Sequence, residues 1–306
     1  MRKDKYRFLL RVGQVLLSIF VTLLIIGVLI FVTQGRDIPV LDTHGLIADQ
    51  EKNLILVVFA LGFFIVIPVF ILLFSIAWRY RAGNTKAKYQ PEFESHRGLE
   101  ALWWGIPCLF IVVLAIITAV STHALDPYKP IDSKVEPVKI QVIALEWKWL
   151  FIYPDEEVAT VNYINIPKDT PINFTITSDA PMNSFWVPAL AGQVYAMSGM
   201  STKLHFMANS AGTFNGVSAN ISGDGYAGMT FKVNSMEQAD YDAWVKKSET
   251  SPQYLTEAMY QKLEQPSKNE AQATYVLNDF DLYNKVIMKY MSSEGNASTG
   301  ELKAAL

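Results

Sequence analysis

Three stretches without a single charged side chain, at residues 15–32, 54–78 and 102–120, constrain this chain more than any other feature. At a rise of about 1.5 Å per residue, runs of this length reach or nearly reach across a hydrocarbon core of about 30 Å. A soluble helix this long would interrupt its apolar surface with a polar face. The three runs are therefore expected to lie in a membrane, and the stretch after residue 120 is left to build a water-facing domain.

The distribution of Lys and Arg orients the runs. Arg2, Lys3, Lys5, Arg7 and Arg11 precede the first run against one acid, Asp4, and Arg79, Arg81, Lys86, Lys88 and Arg97 separate the second from the third against Glu92 and Glu94. Between the first and second runs, Arg36 and Lys52 face Asp37, Asp42, Asp49 and Glu51. Cytoplasmic loops carry the basic excess, so the amino-terminal segment and the 79–97 loop are expected inside and everything after residue 120 outside. A basic head followed by an apolar stretch fits both a signal sequence and an anchor. The first run is longer than a usual signal core, with no Ala-x-Ala site after it and no lipoprotein cysteine, so an uncleaved helix is expected.

A net charge of −3, with no basic stripe interleaved with aromatics, excludes a nucleic-acid partner. The single cysteine, Cys108, lies inside the third run, which rules out an intrachain disulfide and suggests a packing role. Pro68 is expected to kink the second helix, and Trp78 and Tyr80 mark its interface. The third helix is expected to begin near Leu99. Glu100 then serves as an acidic charge at its positive end, Trp103 and Trp104 as belt residues, and His96 and His123 as solvated flanks.

From residue 126 the pattern changes. Pro127, Pro130 and Pro137 break up a polar linker, and then segments 138–145, 159–166, 172–177, 203–207 and 229–233 alternate apolar and polar residues between turns. Short strands at this spacing predict an all-β sandwich or barrel, with neither a βαβ alternation nor a phosphate loop. Beyond residue 233 the pattern reads as helical. Ser235-Met-Glu-Gln238 fits a capping box for a helix to about Lys247, Ser251-Pro252 for a second helix to about Leu263, and a third is expected from Leu282 to Met291. The expected organisation is an amino-terminal helix or signal at 1–35, a transmembrane hairpin at 36–125, a β domain at 126–234, a helical extension at 235–292 and a disordered polar tail at 293–306.

Four motifs carry a family resemblance: Leu99-Glu-x3-Trp-Gly-Ile-Pro107, Glu146-Trp-Lys-Trp149, Asn183-Ser-Phe-Trp-Val-Pro188, and the Gly- and Ser-rich loop from Gly216. With this layout of membrane hairpin and outer β domain, the chain resembles subunit II of the haem-copper terminal oxidases. That resemblance implies a cupredoxin-like sandwich. In the cytochrome c oxidase branch the sandwich holds a dicopper (CuA) centre through His-Ser-Phe-Trp-Val-Pro and, downstream, Cys-x-Glu-x-Cys-x3-His-x2-Met. The same spacing, without a gap, places Asn183 at the first His, Ser218 and Ser222 at the two Cys, Asn220 at the Glu, Tyr226 at the second His and Met229 at the Met. Only Met229 keeps its type. A copper pair needs bridging thiolates and imidazoles, whereas serine hydroxyls are hard and stay protonated. His205, the one histidine of the β domain, is expected to be an ordinary strand residue. Met182, Met197, Met200 and Met207 are expected to fill core and interface rather than handle copper. With no metal, Asn183, Ser218, Asn220 and Ser222 are expected to cross-link their loops by hydrogen bonds.

The replacements, with Gln193-Val-Tyr-Ala-Met197, Ser222-Gly-x-Gly225 and Tyr260-Gln-Lys-Leu-Glu-Gln-Pro-Ser267, resemble the cytochrome bo type of ubiquinol oxidase; the absent lipoprotein cysteine departs from it. The resemblance implies a proton-pumping quinol oxidase that reduces oxygen to water. In it, quinol electrons enter a haem of subunit I directly, and the haems and the oxygen-reducing copper belong to that subunit. This chain is then structural, with no catalytic, cofactor-binding or metal residue of its own, and Trp147 and Trp149 serve as aromatic packing. Its partners are subunit I, further small subunits, membrane lipid and, through the complex, quinol, but not cytochrome c. It is placed as a multi-pass protein of a bacterial plasma membrane. Two other readings stand beside this one: a cytochrome c oxidase subunit with unusual copper ligands, and a stand-alone membrane-anchored cupredoxin-like binding or assembly module.

Overall fold

The computed structural model describes residues 38–87 and 92–291. The apolar run at 15–32 and the tail at 293–306 lie outside the described residues. The chain divides into two units, Met1–Asp42 and Thr43–Leu306. Of the first only a turn is described, in which the Ile38 carbonyl accepts from the N–H groups of Leu41 and Asp42.

The second unit opens with two helices, α1 (Leu46–Arg79) and α2 (Arg97–Ala124), both long and apolar enough to cross a membrane. α1 continues through Pro68, and α2 contains Pro107. His96 caps α2, its ring Nδ1 accepting from the Leu99 N–H (3.2 Å), and Glu100 reaches back to the His96 N–H (3.0 Å), so both flanking residues satisfy the first turn. At the far end of α2, His123 Nδ1 lies 2.8 Å from the Ala119 carbonyl oxygen. Cys108 is exposed on α2, so its expected packing role is not met within this chain. The amino-terminal end of α1 is stitched to the β domain: Gly45 forms a β-bridge with Ala208, and the Leu46 N–H donates to the Met207 carbonyl.

The β domain is a two-layer sandwich. One sheet has the order β11-β12-β3-β2-β1-β5-β8, the other β4-β10-β9-β6-β7. The strands are β1 (Val138–Leu145), β2 (Lys148–Tyr153), β3 (Val158–Val161), β4 (Tyr163–Pro167), β5 (Ile172–Ser178), β6 (Asn183–Trp186), β7 (Val194–Ala196), β8 (Thr202–Phe206), β9 (Gly212–Ser218), β10 (Thr230–Met236), β11 (Tyr254–Leu255) and β12 (Ala273–Leu277). β1 pairs antiparallel with β2 and parallel with β5, while β10 pairs parallel with β4 and antiparallel with β9. The two inner faces close on aromatic side chains. Phe185 and Phe231 stack at 5.0 Å, with Trp149 edge-on to both. Trp149 is fully buried, as its expected packing role requires.

Three expectations are corrected. The run 159–166 is two strands in different sheets, because Asn162 between them adopts φ +57°. Asn is among the few residues that tolerate this left-handed conformation, and here its amide accepts from the Trp149 N–H (2.9 Å) and donates to the Glu270 carbonyl (2.8 Å). The capping box at 235–238 does not form: Ser235 is buried in β10, and Glu237 precedes helix α3 (Gln238–Glu249) without a side-chain cap, pairing with Lys168 at 2.8 Å. Ser251-Pro252 does not open a helix either. The chain first makes β11, and Thr256 then caps α4 (Glu257–Glu264) by accepting from the Met259 N–H. The extension ends in a helix at 282–291, here α5. Besides its helices it contributes β11 and β12, and β12 pairs with β3.

Candidate functional site

β1 and β5 run parallel and end together, at Leu145 and Ser178, and the Asp179 N–H donates to the Ala144 carbonyl. The turn β1–β2, the turn at Asn162 and the loops β5–β6 and β9–β10 therefore gather at one end of the sandwich. Asn183 is the first residue of β6 and Ser218 the last of β9, strands that pair antiparallel with Phe185 opposite Ser218. The pairing sets the two side chains against each other: the Ser218 hydroxyl donates to Asn183 Oδ1 (3.0 Å), and Asn183 Nδ2 donates to the Pro181 carbonyl (2.7 Å). Asn220 Nδ2 donates to the Met182 carbonyl (2.7 Å), and the Ala219 N–H to the Ser184 carbonyl (3.0 Å). Three of the four expected cross-linking side chains thus join the two loops. Ser222 does not. Its hydroxyl is buried without a partner, and only its carbonyl is used, accepting from the Trp147 indole N–H at 3.2 Å.

Tyr226 opens a single 3-10 turn, Tyr226–Gly228, and Met229 after it is buried beneath the loop, its carbonyl accepting from the Ser218 N–H. With Trp186 and Ser218 they line a hollow of about 320 Å³. Trp147 is half-buried against the core and sits at φ +63°. Its ring covers Gly225 so closely that any Cβ there would overlap it, which explains the glycine. Among the described residues no group of three or more His, Cys, Asp or Glu side chains could hold a metal. Of the core and interface roles expected for the methionines, the core role is not met: Met182 and Met200 are exposed and Met197 and Met207 half-buried, because all four lie just outside the strands.

His205 lies in β8 with its Nδ1 2.7 Å from Asn173 Oδ1, the strand role expected of it. Burial first, and the Lys203 ammonium second, push its pKa below the usual imidazole value of 6.5. The unfolded chain then takes up a proton that the folded chain refuses, so stability is lost as pH falls below about 6.5, until the folded imidazole itself titrates. Thermal unfolding of the full chain at pH 7.5 and 5.5 is expected to show this acid loss, and His205→Gln to reduce it. Equal losses in both proteins would refute the assignment.

Two family models match: "Cytochrome C oxidase subunit II, periplasmic domain" over residues 154–236, and "COX Aromatic Rich Motif" over 246–294. The chain is similar to the cytochrome bo(3) ubiquinol oxidase subunit 2 of Pseudomonas putida, at 48% identity over 84% of this chain and 82% of that protein. The corresponding protein of Pseudomonas aeruginosa is 44% identical over 84% of this chain and 77% of its own length. Ubiquinol oxidase subunit 2 of Acetobacter aceti is 40% identical over 84% of both. At this identity and coverage, the chain belongs to the subunit 2 family of ubiquinol oxidases, as a membrane-anchored subunit of an oxidoreductase complex with an outer cupredoxin-like domain.

Proposed function

We propose that this chain is the structural subunit II of a proton-pumping oxidase that oxidises ubiquinol and reduces oxygen to water, spanning a bacterial plasma membrane more than once with its β domain outside. The haems and the oxygen-reducing copper belong to a haem-bearing subunit I, which quinol reaches through the membrane. Further small subunits and membrane lipid complete its partners, and cytochrome c is not among them. The observation that carries this reading is the hydrogen bond from Ser218 to Asn183 at two positions aligned with copper ligands. A dicopper centre requires thiolate bridges and imidazole nitrogens. The positions offer two hydroxyls, two amides, a phenol and one thioether, and the amides are already engaged with backbone and hydroxyl groups. This donor set does not fit a copper pair, so no electron step is routed through it. The names of the relatives support ubiquinol as the donor.

The test is to purify the complex and compare its oxidation of ubiquinol with that of reduced cytochrome c, alongside its near-infrared spectrum and metal content. Ubiquinol is expected to be oxidised, cytochrome c not, and the CuA band to be missing. Stoichiometric copper on this chain would overturn the reading, and a chain that purifies alone after mild solubilisation would favour a free-standing module.

A further inference from the structure

One short segment of the extension touches four of the turns at the degenerate end of the sandwich. The Tyr260 hydroxyl donates to Asp179 Oδ2 (2.6 Å) at the start of the β5–β6 loop. Lys148, the first residue of β2, donates to the carbonyls of Leu263 (2.8 Å) and Gln265 (2.7 Å). Lys268 lies over the Trp147 ring at 5.6 Å and reaches Asp224 at 4.0 Å, and the Asn269 side chain fills the space a Cβ on Gly228 would need. The Glu270 carbonyl accepts from Asn162 at the β3–β4 turn (2.8 Å). α5 closes the circuit. Tyr290 (2.7 Å) and Lys289 (2.8 Å) both donate to Asp179 Oδ1, and Lys289 also pairs with Glu264 of α4 (2.6 Å). The Asp179 side chain is fully buried, so these donors are what keep a carboxylate tolerable there.

We propose that residues 260–272, with Lys289 and Tyr290, form a clasp that fixes four turns at this end relative to one another. It performs the cross-linking that a metal would perform between the loops of Asn183 and Ser218. The proposal rests on the reading of this end as a copper site with its ligands replaced. A metal centre ties two loops through its bonds, whereas the clasp ties the turns β1–β2, β3–β4, β5–β6 and β9–β10 through one continuous segment. Every tie uses a side chain and a partner already in the chain, so rigidity at this end requires no cofactor.

The test is amide exchange on the purified oxidase complex. The variant Y260F/K289M removes two of the three side-chain donors to Asp179 and nearly conserves volume. Exchange is expected to rise at least tenfold at 179–183 and also at 223–228 and 146–147, turns that neither altered side chain touches. Faster exchange confined to 179–183, α4 and α5 would overturn the clasp and leave a local contact. The surface variant Lys268→Ala serves where the double variant fails to assemble. It is expected to raise exchange several-fold at both 223–228 and 179–183, and unchanged rates at 179–183 would count against the proposal. Copper found on this chain would instead overturn the reading beneath it, whatever the exchange rates show.

Discussion

Replacing Gly216 by valine is expected to lower the unfolding temperature of the β domain by about 10 °C. Gly216 of β9 stands directly opposite Phe231 of β10, and the Phe231 ring lies across it so closely that an added Cβ would overlap three ring carbons. The ring has nowhere to go, being stacked on Phe185 at 5.0 Å and bounded by Phe151 at 5.2 Å and Trp149 at 5.7 Å. Overpacking a close-packed interior costs about 1–3 kcal/mol, and a site walled by aromatic rings belongs at the upper end. For a domain of this class each kcal/mol moves the midpoint by about 2–4 °C. Thermal unfolding of the complex followed by tryptophan fluorescence checks this. The double variant G216V/F231A is expected to recover part of the loss, since it removes the obstructing ring. A double variant no better than the sum of the singles would show that something other than the ring sets the cost.

The glycine illustrates which parts of the fold a sequence exposes. Membrane helices announce themselves by composition: α1 and α2 contain the two apolar runs at 54–78 and 102–120. β1 could be bounded at Val138 and Leu145 because alternation and flanking turn residues agreed there. β2 showed no such alternation, since every residue from Lys148 to Tyr153 is buried, its two faces covered by the other sheet and by the extension. β12 was hidden for another reason. Its stretch Ala273–Leu277 has strand-forming residues, yet it lies between helical segments, and what makes it a strand is pairing with the short β11 and with β3, more than a hundred residues upstream.

The same division applies to the site. The match of Asn183 and Ser218 to ligand positions was a matter of spacing, and pairing of β6 with β9 does bring them together. Ser222 carries the same side-chain chemistry, but Trp147 takes its carbonyl and leaves its hydroxyl without a partner, which no spacing rule could foresee. The capping box at Ser235 failed because the strand register claimed that residue first. Asp179, Lys148 and Lys289 were missed altogether. A charged residue beside a turn reads as a solvated one until the chain that covers it is placed, and here the cover comes from about 80 to 115 residues away along the chain.

Lys148 yields the second large effect. The side chain is 1% exposed, and its ammonium donates to the Leu263 and Gln265 carbonyls at the carboxy-terminal end of α4, where a cation also complements the helix dipole. Lys148→Met keeps the length and removes both donors. Each bond lost from a charged donor costs about 1.5–3 kcal/mol, offset in part because the variant no longer buries a charge. A net loss of about 2–4 kcal/mol is expected, concentrated where α4 meets the β1–β2 turn. Trypsin should then cleave after Lys262 and Lys268 at least tenfold faster while the sandwich stays intact; unchanged cleavage would deny Lys148 this role. Burial, opposed by Glu270 and Glu146, lowers the pKa of Lys148 from 10.5. The unfolded chain therefore binds more protons than the folded one between the lowered value and 10.5. Below that window both states carry the proton and the burial cost is constant; inside it the cost is relieved as the folded amine titrates, and the neutral amine still donates. The stability gap between wild type and Lys148→Met should accordingly widen as pH rises toward 10.5, opposite in sign to Lys139, Lys168, Lys285 and Lys289, whose pKa values are raised by acidic partners and whose contributions fade at high pH.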